Sequence, residues 1–224
     1  MSLITVSKIQ KETSSTNIDV PSTGQFIDLA SAAQGDVLYY NGTSYVRLAP
    51  GTSGQVLTSG GAGANPSWAG AGITAASIWK LTATHTGNKN PIDADLSPST
   101  NNGQGVLGDV MTETSGVFKF PSTGFWHVTA TFTFHRTAAD SGAGGFIKST
   151  VNNGTDWNII AGTYNNLQST GTYNTCGTNV ILDVTDIDNN KVSFQTSHDN
   201  TGNSTVGSST ANYTCFTFTR LADT

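Results

Sequence analysis

The longest regular alternation of apolar and polar residues runs from Gly116 to His135, GVFKFPSTGFWHVTATFTFH. Val117, Phe118 and Phe120 open it, and a Pro-Ser-Thr-Gly turn at 121–124 interrupts it. Trp126, Val128, Ala130, Phe132 and Phe134 then share one face of a strand whose other face carries Thr129, Thr131 and Thr133. Pro121 has no N–H to give a sheet ladder and Gly124 permits positive φ, so the ladder is expected to break at this turn. From Ile78 onward, short runs alternate with clusters of Asn, Gly, Asp and Ser: NNGQG at 101–105, NNGT at 152–155, DIDNN at 186–190 and DNTGNS at 199–204. Strands are predicted near 77–83, 106–113, 116–120, 125–135, 144–152, 157–164, 173–184, 191–196 and 211–220. No helical period lies between them. The expectation is an all-β sandwich of about eight to ten strands, a jelly roll of two packed sheets. Its core should hold Phe120, Trp126, Phe132, Phe134, Phe194, Phe216 and Phe218.

Upstream the pattern is weaker. Residues 1–34 have no long helical period, and their charged stretch Lys8 to Glu12 gives way to Ser- and Thr-rich sequence with one short apolar piece, Phe26-Ile27-Asp28-Leu29. Such a segment cannot bury a core of its own, so any order must come from a partner. In 35–70, Val37 to Tyr40 and Tyr45 to Leu48 flank Asn41-Gly42, a strong hairpin signal, and Gln55 to Thr58 leads into a Gly-rich loop ending at Trp68. A hairpin of this size is marginal alone in water. Tyr39, Tyr40, Tyr45, Leu48 and Trp68 should therefore be covered by neighbouring chains. The chain divides on this reading into an attachment segment at 1–34, a small β module at 35–72 and a β domain at 73–224, with AGAGIT at 69–74 as a flexible join.

Two stretches carry resemblances. Gly116-x-Phe118-x-x-Pro121-x-x-Gly124-x-Trp126, followed by the long alternating strand, resembles the start of the C1q/TNF-like jelly roll, and the aromatic strand from Tyr213 to Leu221 resembles its closing strand. The run GDVLYYNG at 35–42, then GTSGQVLTSGG at 51–61, then NPSW at 65–68, resembles a small intertwined β module of bacteriophage tail fibres and other virion fibre proteins. The module occurs once, whereas long fibres repeat it, which implies a short fibre or spike. Together the resemblances imply a homotrimeric virion protein, made in the host bacterial cytoplasm. Residues 1–34 would attach to other virion proteins, and the jelly-roll head would bind host-surface glycan. The alternative is a structural role as a capsid decoration or head-fibre protein.

Composition narrows the chemistry. Only 11% of the residues are charged, and the formal net charge is −5. The ten Lys and Arg are scattered, so no basic patch exists to neutralise phosphate, and nucleic acid is not an expected partner. Nothing approaches the apolar run of roughly 18 residues that a membrane helix needs, and MSLITVSKIQKE does not resemble a signal peptide. Cys176 and Cys215 are too few for a zinc site or a disulfide framework and are expected to pack as reduced thiols.

No catalytic or cofactor motif emerges. GGAGA at 60–64 lacks the spacing and the Lys of a phosphate-binding loop. Asp183, Asp186 and Asp188 lack the Gly and distal Glu of a calcium-binding EF-hand loop, and read as a polar turn. His127 and His135 lie on one strand face roughly 26 Å apart, too far to share a metal within one chain. No G-x-S-x-G elbow is present, and the acidic residues fall mostly in turns. The expectation is a non-enzyme without cofactor or metal. Trp157, Tyr164 and Tyr173, set among Asn, Gly, Thr and Ser, are the candidate glycan contacts, because aromatic faces stack on sugar rings and amides satisfy hydroxyls.

Overall fold

The computed structural model describes residues 31–137, 142–166 and 169–223. Over these residues the chain is all β, and it divides into two compact units, 1–71 and 72–224. Apart from 31–34, the predicted attachment segment lies outside the described residues.

The described residues of the first unit form two hairpins. β1 (Val37–Tyr40) pairs antiparallel with β2 (Tyr45–Leu48), Tyr40 opposite Tyr45. Between them the Asn41 side-chain oxygen accepts the N–H groups of Thr43 and Ser44 at 2.9 Å each, and Gly42 takes φ +97°. Asn41 thus closes the turn with its side chain, as Asx turns do. β3 (Gln55–Thr58) pairs with β4 (Ser67–Gly70), and Trp68 donates its indole N–H to the Ala49 carbonyl at 2.7 Å. The Trp68 ring also covers Gly51, where an added Cβ would come within 2.7 Å of it. None of residues 31–70 is buried; Tyr40 is 56% and Tyr45 67% exposed.

The second unit contains β5 (Ala76–Leu81), β6 (His85–Thr86), β7 (Leu96–Pro98), β8 (Thr112–Thr114), β9 (Val117–Lys119), β10 (Gly124–His135), β11 (Gly142–Thr150), β12 (Asn158–Asn166), β13 (Tyr173–Val184), β14 (Lys191–His198), β15 (Ser204–Thr205) and β16 (Cys215–Ala222). A seven-stranded sheet has the order β6-β15-β10-β16-β5-β7, with β13 on the other edge of β10; a five-stranded sheet has the order β12-β11-β14-β9-β8. The paired strands are antiparallel. This is a jelly-roll sandwich. At Pro121–Gly124 the chain leaves β9 in one sheet and enters β10 in the other, so the ladder breaks by changing sheets.

β10 is paired on both edges, with β13 along its whole length and with β16 and then β15 on the other side. Its even positions, Trp126 to Phe134, are at most 1% exposed, and so are Phe120, Phe194, Phe216 and Phe218. Phe194 of the five-stranded sheet lies flat on Phe216 of the seven-stranded sheet, centroids 3.6 Å apart, and Phe118 meets Trp79 and Phe194 edge-on. Gly145 of β11 backs directly onto the Phe132 ring, and a Cβ there would overlap it. The buried Trp126 indole donates to the Ser122 carbonyl at 3.1 Å.

Some expectations are corrected. No continuous strand spans 106–113: Leu107 makes an isolated bridge to Ala76, Gly108 turns the chain at φ +62° beneath the Thr74 carbonyl, and only Thr112–Thr114 forms a strand. The second unit has twelve strands, the excess coming from pieces of two or three residues that show no period. The polar face of β10 keeps its register but is not uniformly exposed. Thr133 is 5% exposed, because its hydroxyl donates to the Tyr213 carbonyl at 2.8 Å and its N–H donates to the Thr214 hydroxyl at 3.1 Å, beneath the segment entering β16.

Phe132→Ala should destabilise the protein by about 3–5 kcal/mol, the usual cost of emptying a packed aromatic site. Thr131→Ala, on the outer face, should cost under about 1 kcal/mol. Urea titration of both variants checks the alternation; equal losses would contradict it. His198 yields a second expectation. Its ring stands edge-on to Phe134, its Nε2 lies 3.1 Å from the Thr205 hydroxyl, and its Nδ1 has no partner. Burial holds its pKa below the usual 6.5, against a smaller upward pull from Asp199. The unfolded chain therefore binds this proton more readily than the folded one, and the His198 contribution to stability is full above about pH 6.5 and lost as pH falls below it. Urea midpoints measured across that range should fall less steeply for His198→Gln than for the wild type.

Candidate functional site

The outer face of the five-stranded sheet holds an open cleft. Even positions of β11 point outward, and two of them, Gly142 and Gly144, carry no side chain. The register sets Gly144 between Tyr164 of β12 and Ser197 of β14, and Gly142 opposite Asn166, while the Asp199 N–H donates to the Gly142 carbonyl at 3.0 Å. The result is a trough of about 400 Å³ with Tyr164 and Asn166 on one wall and Ser197 and Asp199 on the other. The next outward residue, Phe146, lies over bare backbone: a Cβ on Gly144 or Gly162 would come within 2.8 or 2.7 Å of its ring. Tyr164 stands edge-on against Phe146, centroids 5.3 Å apart, and is 78% exposed. At the lip, the Asn165 carboxamide oxygen accepts a bond from Asn174 at 2.7 Å.

The three candidate aromatics do not form one site. Trp157 is half-buried in a second pocket of about 220 Å³, with Asn90, Pro91, Val117, Lys148 and Ser193. Lys148 donates to the Asn90 side chain there at 2.9 Å. That pocket and the trough share a sheet face, Lys148 and Gly144 standing roughly 13 Å apart along β11 at ~3.3 Å per residue. Tyr173 lies on the other sheet, stacked on His135 at 4.1 Å. Only Tyr164 lines the trough. Asn166, Ser197 and Asp199 belong to it without having been singled out from the sequence, because the first comes from β12 and the other two from the end of β14, and no local motif joins them.

The remaining candidates resolve into local structure. The Asp186 carboxylate accepts the N–H groups of Asp188 and Asn189, bonds that hold its pKa below the usual carboxylate value, and Asp188 pairs with Lys119 at 2.6 Å. No group of three or more His, Cys, Asp or Glu side chains suited to a metal occurs among the described residues. Cys176 and Cys215 are free thiols, half-buried on opposite faces of the seven-stranded sheet, and burial raises both their pKa values. No described helix is long and apolar enough to cross a membrane.

The outer face of the seven-stranded sheet has a different character. Three rows cross it: Ile181–His127–Thr219–Ala76, Asn179–Thr129–Thr217–Ile78 and Gly177–Thr131–Cys215–Lys80. Lys80 is their one Lys, Arg, Asp or Glu, and it is only 3% exposed. These rows therefore present hydroxyl, methyl and thiol groups with the His127 imidazole and the Asn179 carboxamide, and the next row, Asp183–Phe125, brings an exposed carboxylate.

No protein-family model matches this sequence, and no curated protein matches it. Among solved structures, Eiger TNF from S. frugiperda superposes with a TM-score of 0.51 at 11% identity, covering 68% of this chain and 95% of that one. Murine APRIL, crystallised at pH 5.0, superposes at 0.50 with 11% identity, covering 66% and 98%. The fold is the TNF-type jelly roll. At this level of identity the likeness establishes architecture alone.

Proposed function

We propose that this chain is a non-enzymatic, homotrimeric fibre or spike protein of a bacteriophage virion, made in the host bacterial cytoplasm, whose jelly roll contacts host-surface glycan. The observation that carries the association is the charge-poor centre of the outer face of the seven-stranded sheet, the three rows through His127, Thr129 and Thr131. The centre of a protein interface is depleted in charge, and a flat face of Thr, Ile, Ala and Cys suits a second copy better than open solvent. The hairpin unit supports the same reading. None of its residues 31–70 is buried, and neighbouring chains would supply cover for Tyr40 and Tyr45. The GDVLYYNG, GTSGQVLTSGG and NPSW runs, which resemble virion fibre modules, support the virion assignment, and the trough on the opposite sheet supports a glycan-contacting head.

Residues 35–224 expressed alone should sediment as a trimer that resists dilution, because both units gain cover by associating. Thr217→Arg, in the middle of the charge-poor rows, should yield a folded monomer. A wild-type monomer at micromolar concentration would overturn the association.

Attachment is tested separately. Deleting residues 1–30 should leave a soluble trimer that binds host cells but no longer incorporates into particles, since that segment has too little apolar surface to fold alone. Incorporation of the truncated protein would place the anchor elsewhere. An intact trimer that ignores cells would favour the decoration role.

A further inference from the structure

We propose that the trough between β12 and β14 is a carbohydrate subsite that receives one pyranose ring and grips it through a pair of neighbouring hydroxyls. The inference rests on the glycan reading above and gives it a location and a chemistry.

The two walls have complementary chemistry. Tyr164 offers an exposed ring backed by Phe146, an apolar wall against which the C–H face of a sugar can stack. Gly142 and Gly144 leave room for Asp199 and Phe146 to lie over the backbone, and the Asp199 side chain is exposed. Two carboxylate oxygens match two adjacent sugar hydroxyls, and hydrogen bonds to a charged acceptor are the stronger kind. The Asn166 carboxamide and the Ser197 hydroxyl each both donate and accept, as sugar hydroxyls do. A volume of about 400 Å³ falls within the range of small-ligand pockets.

The glycines are part of the site. A Cβ on Gly142 would run into the Asp199 carboxylate, and one on Gly144 would meet Phe146 and Tyr164 at 2.8 and 3.1 Å. Larger residues at either position would displace the groups that form the walls. The trough depends on their absence, and the same β11 segment keeps Gly145 bare for a separate reason, the packing of Phe132. Trp157 lies outside the trough, which makes it an internal control on the same sheet face.

The full-length protein would be titrated with free hexoses, N-acetylhexosamines and their methyl glycosides, and binding followed by saturation-transfer NMR. Tyr164 and Asp199 are exposed, so Tyr164→Ala and Asp199→Asn should fold normally. Each should weaken binding of the preferred sugar by about tenfold or more, and Trp157→Ala should leave it unchanged. Tyr164→Phe, which keeps the ring, should retain binding. Sugar binding that survives Tyr164→Ala and Asp199→Asn but falls with Trp157→Ala would overturn the trough and leave the glycan reading standing. Failure of every saccharide to bind, with the trimer still attaching to cells stripped of polysaccharide, would overturn both. Calcium binding abolished by Asp199→Asn, with no saccharide bound, would overturn the sugar assignment.

Discussion

The fold rests on one packing problem: filling the space between two sheets with phenylalanine. Phe118, Phe132, Phe194, Phe216 and Phe218 meet there, with Trp79 and Trp126 at the margins, in stacked and edge-on pairs. Rings of this size occupy the gap only where the opposing backbone makes room. Gly145 does so beneath Phe132, and Ala130 and Ala143 add little bulk of their own. Because interiors pack at crystal-like density, a methyl group at Gly145 would press on the ring that holds β10 and β16 in register. β10 can be the centre of this arrangement because both of its edges are paired, leaving it no unsatisfied backbone to expose.

Ion pairs contribute little to this architecture. Lys119–Asp188 and Lys89–Asp93 are exposed, and exposed pairs add at most about 1 kcal/mol. The surface is held instead by hydroxyl and amide bonds close to the backbone. The Thr150 hydroxyl receives the N–H groups of Asn152 and Gly154, and Asn41 and Asp186 close turns with their own side chains. That explains how 11% charged residues suffice for a chain of 224. The two units also differ in what holds them: the jelly roll buries an aromatic core, whereas the hairpins have turn chemistry, an Arg47–Asp36 ion pair at 2.8 Å, a Tyr40–Tyr45 ring contact and one indole laid over Gly51.

Local sequence revealed what depends on local periodicity, and little beyond it. β10 was legible because ten residues alternate without interruption, and the jelly roll followed from many short strands without a helical pattern. The burial of Thr133 on the outer face was not legible, because its cover, Tyr213 and Thr214, lies about eighty residues away and leaves no trace in the alternation. Val106 and Leu107 suggested a strand, but Gly108 turns the chain immediately after them. β4 was missed because Ser67-Trp68-Ala69-Gly70 has no period, and its pairing with β3 comes from across a loop. The trough was the least legible feature. Its floor consists of missing side chains, and its walls come from residues 164–166 on one strand and 197–199 at the end of another. Read along the chain, GAGG at 142–145 is a glycine cluster suited to a turn; paired between two strands, it lies along the trough on one face and gives ring clearance on the other.

The sandwich puts two chemistries on its two outer faces, and the division has a consequence for how weak contacts become useful. The trimer proposed above, joined through the charge-poor rows of the seven-stranded face, would leave the five-stranded face of each copy in solvent, so that three troughs would be presented at once. A shallow, open site with one aromatic wall and a few polar groups cannot hold a single sugar tightly, since most of the ring stays wet and the ordering cost is met in full. Repetition changes that arithmetic. Once one trough is engaged, the other two meet a surface polymer at the high effective concentration set by their spacing, and avidity can exceed the single-site affinity by about 10²–10⁴ without any new contact. If the proposed glycan contact holds, an open trough would suit a repetitive surface better than a deep pocket, because each contact could release and re-form while the proposed trimer stayed attached.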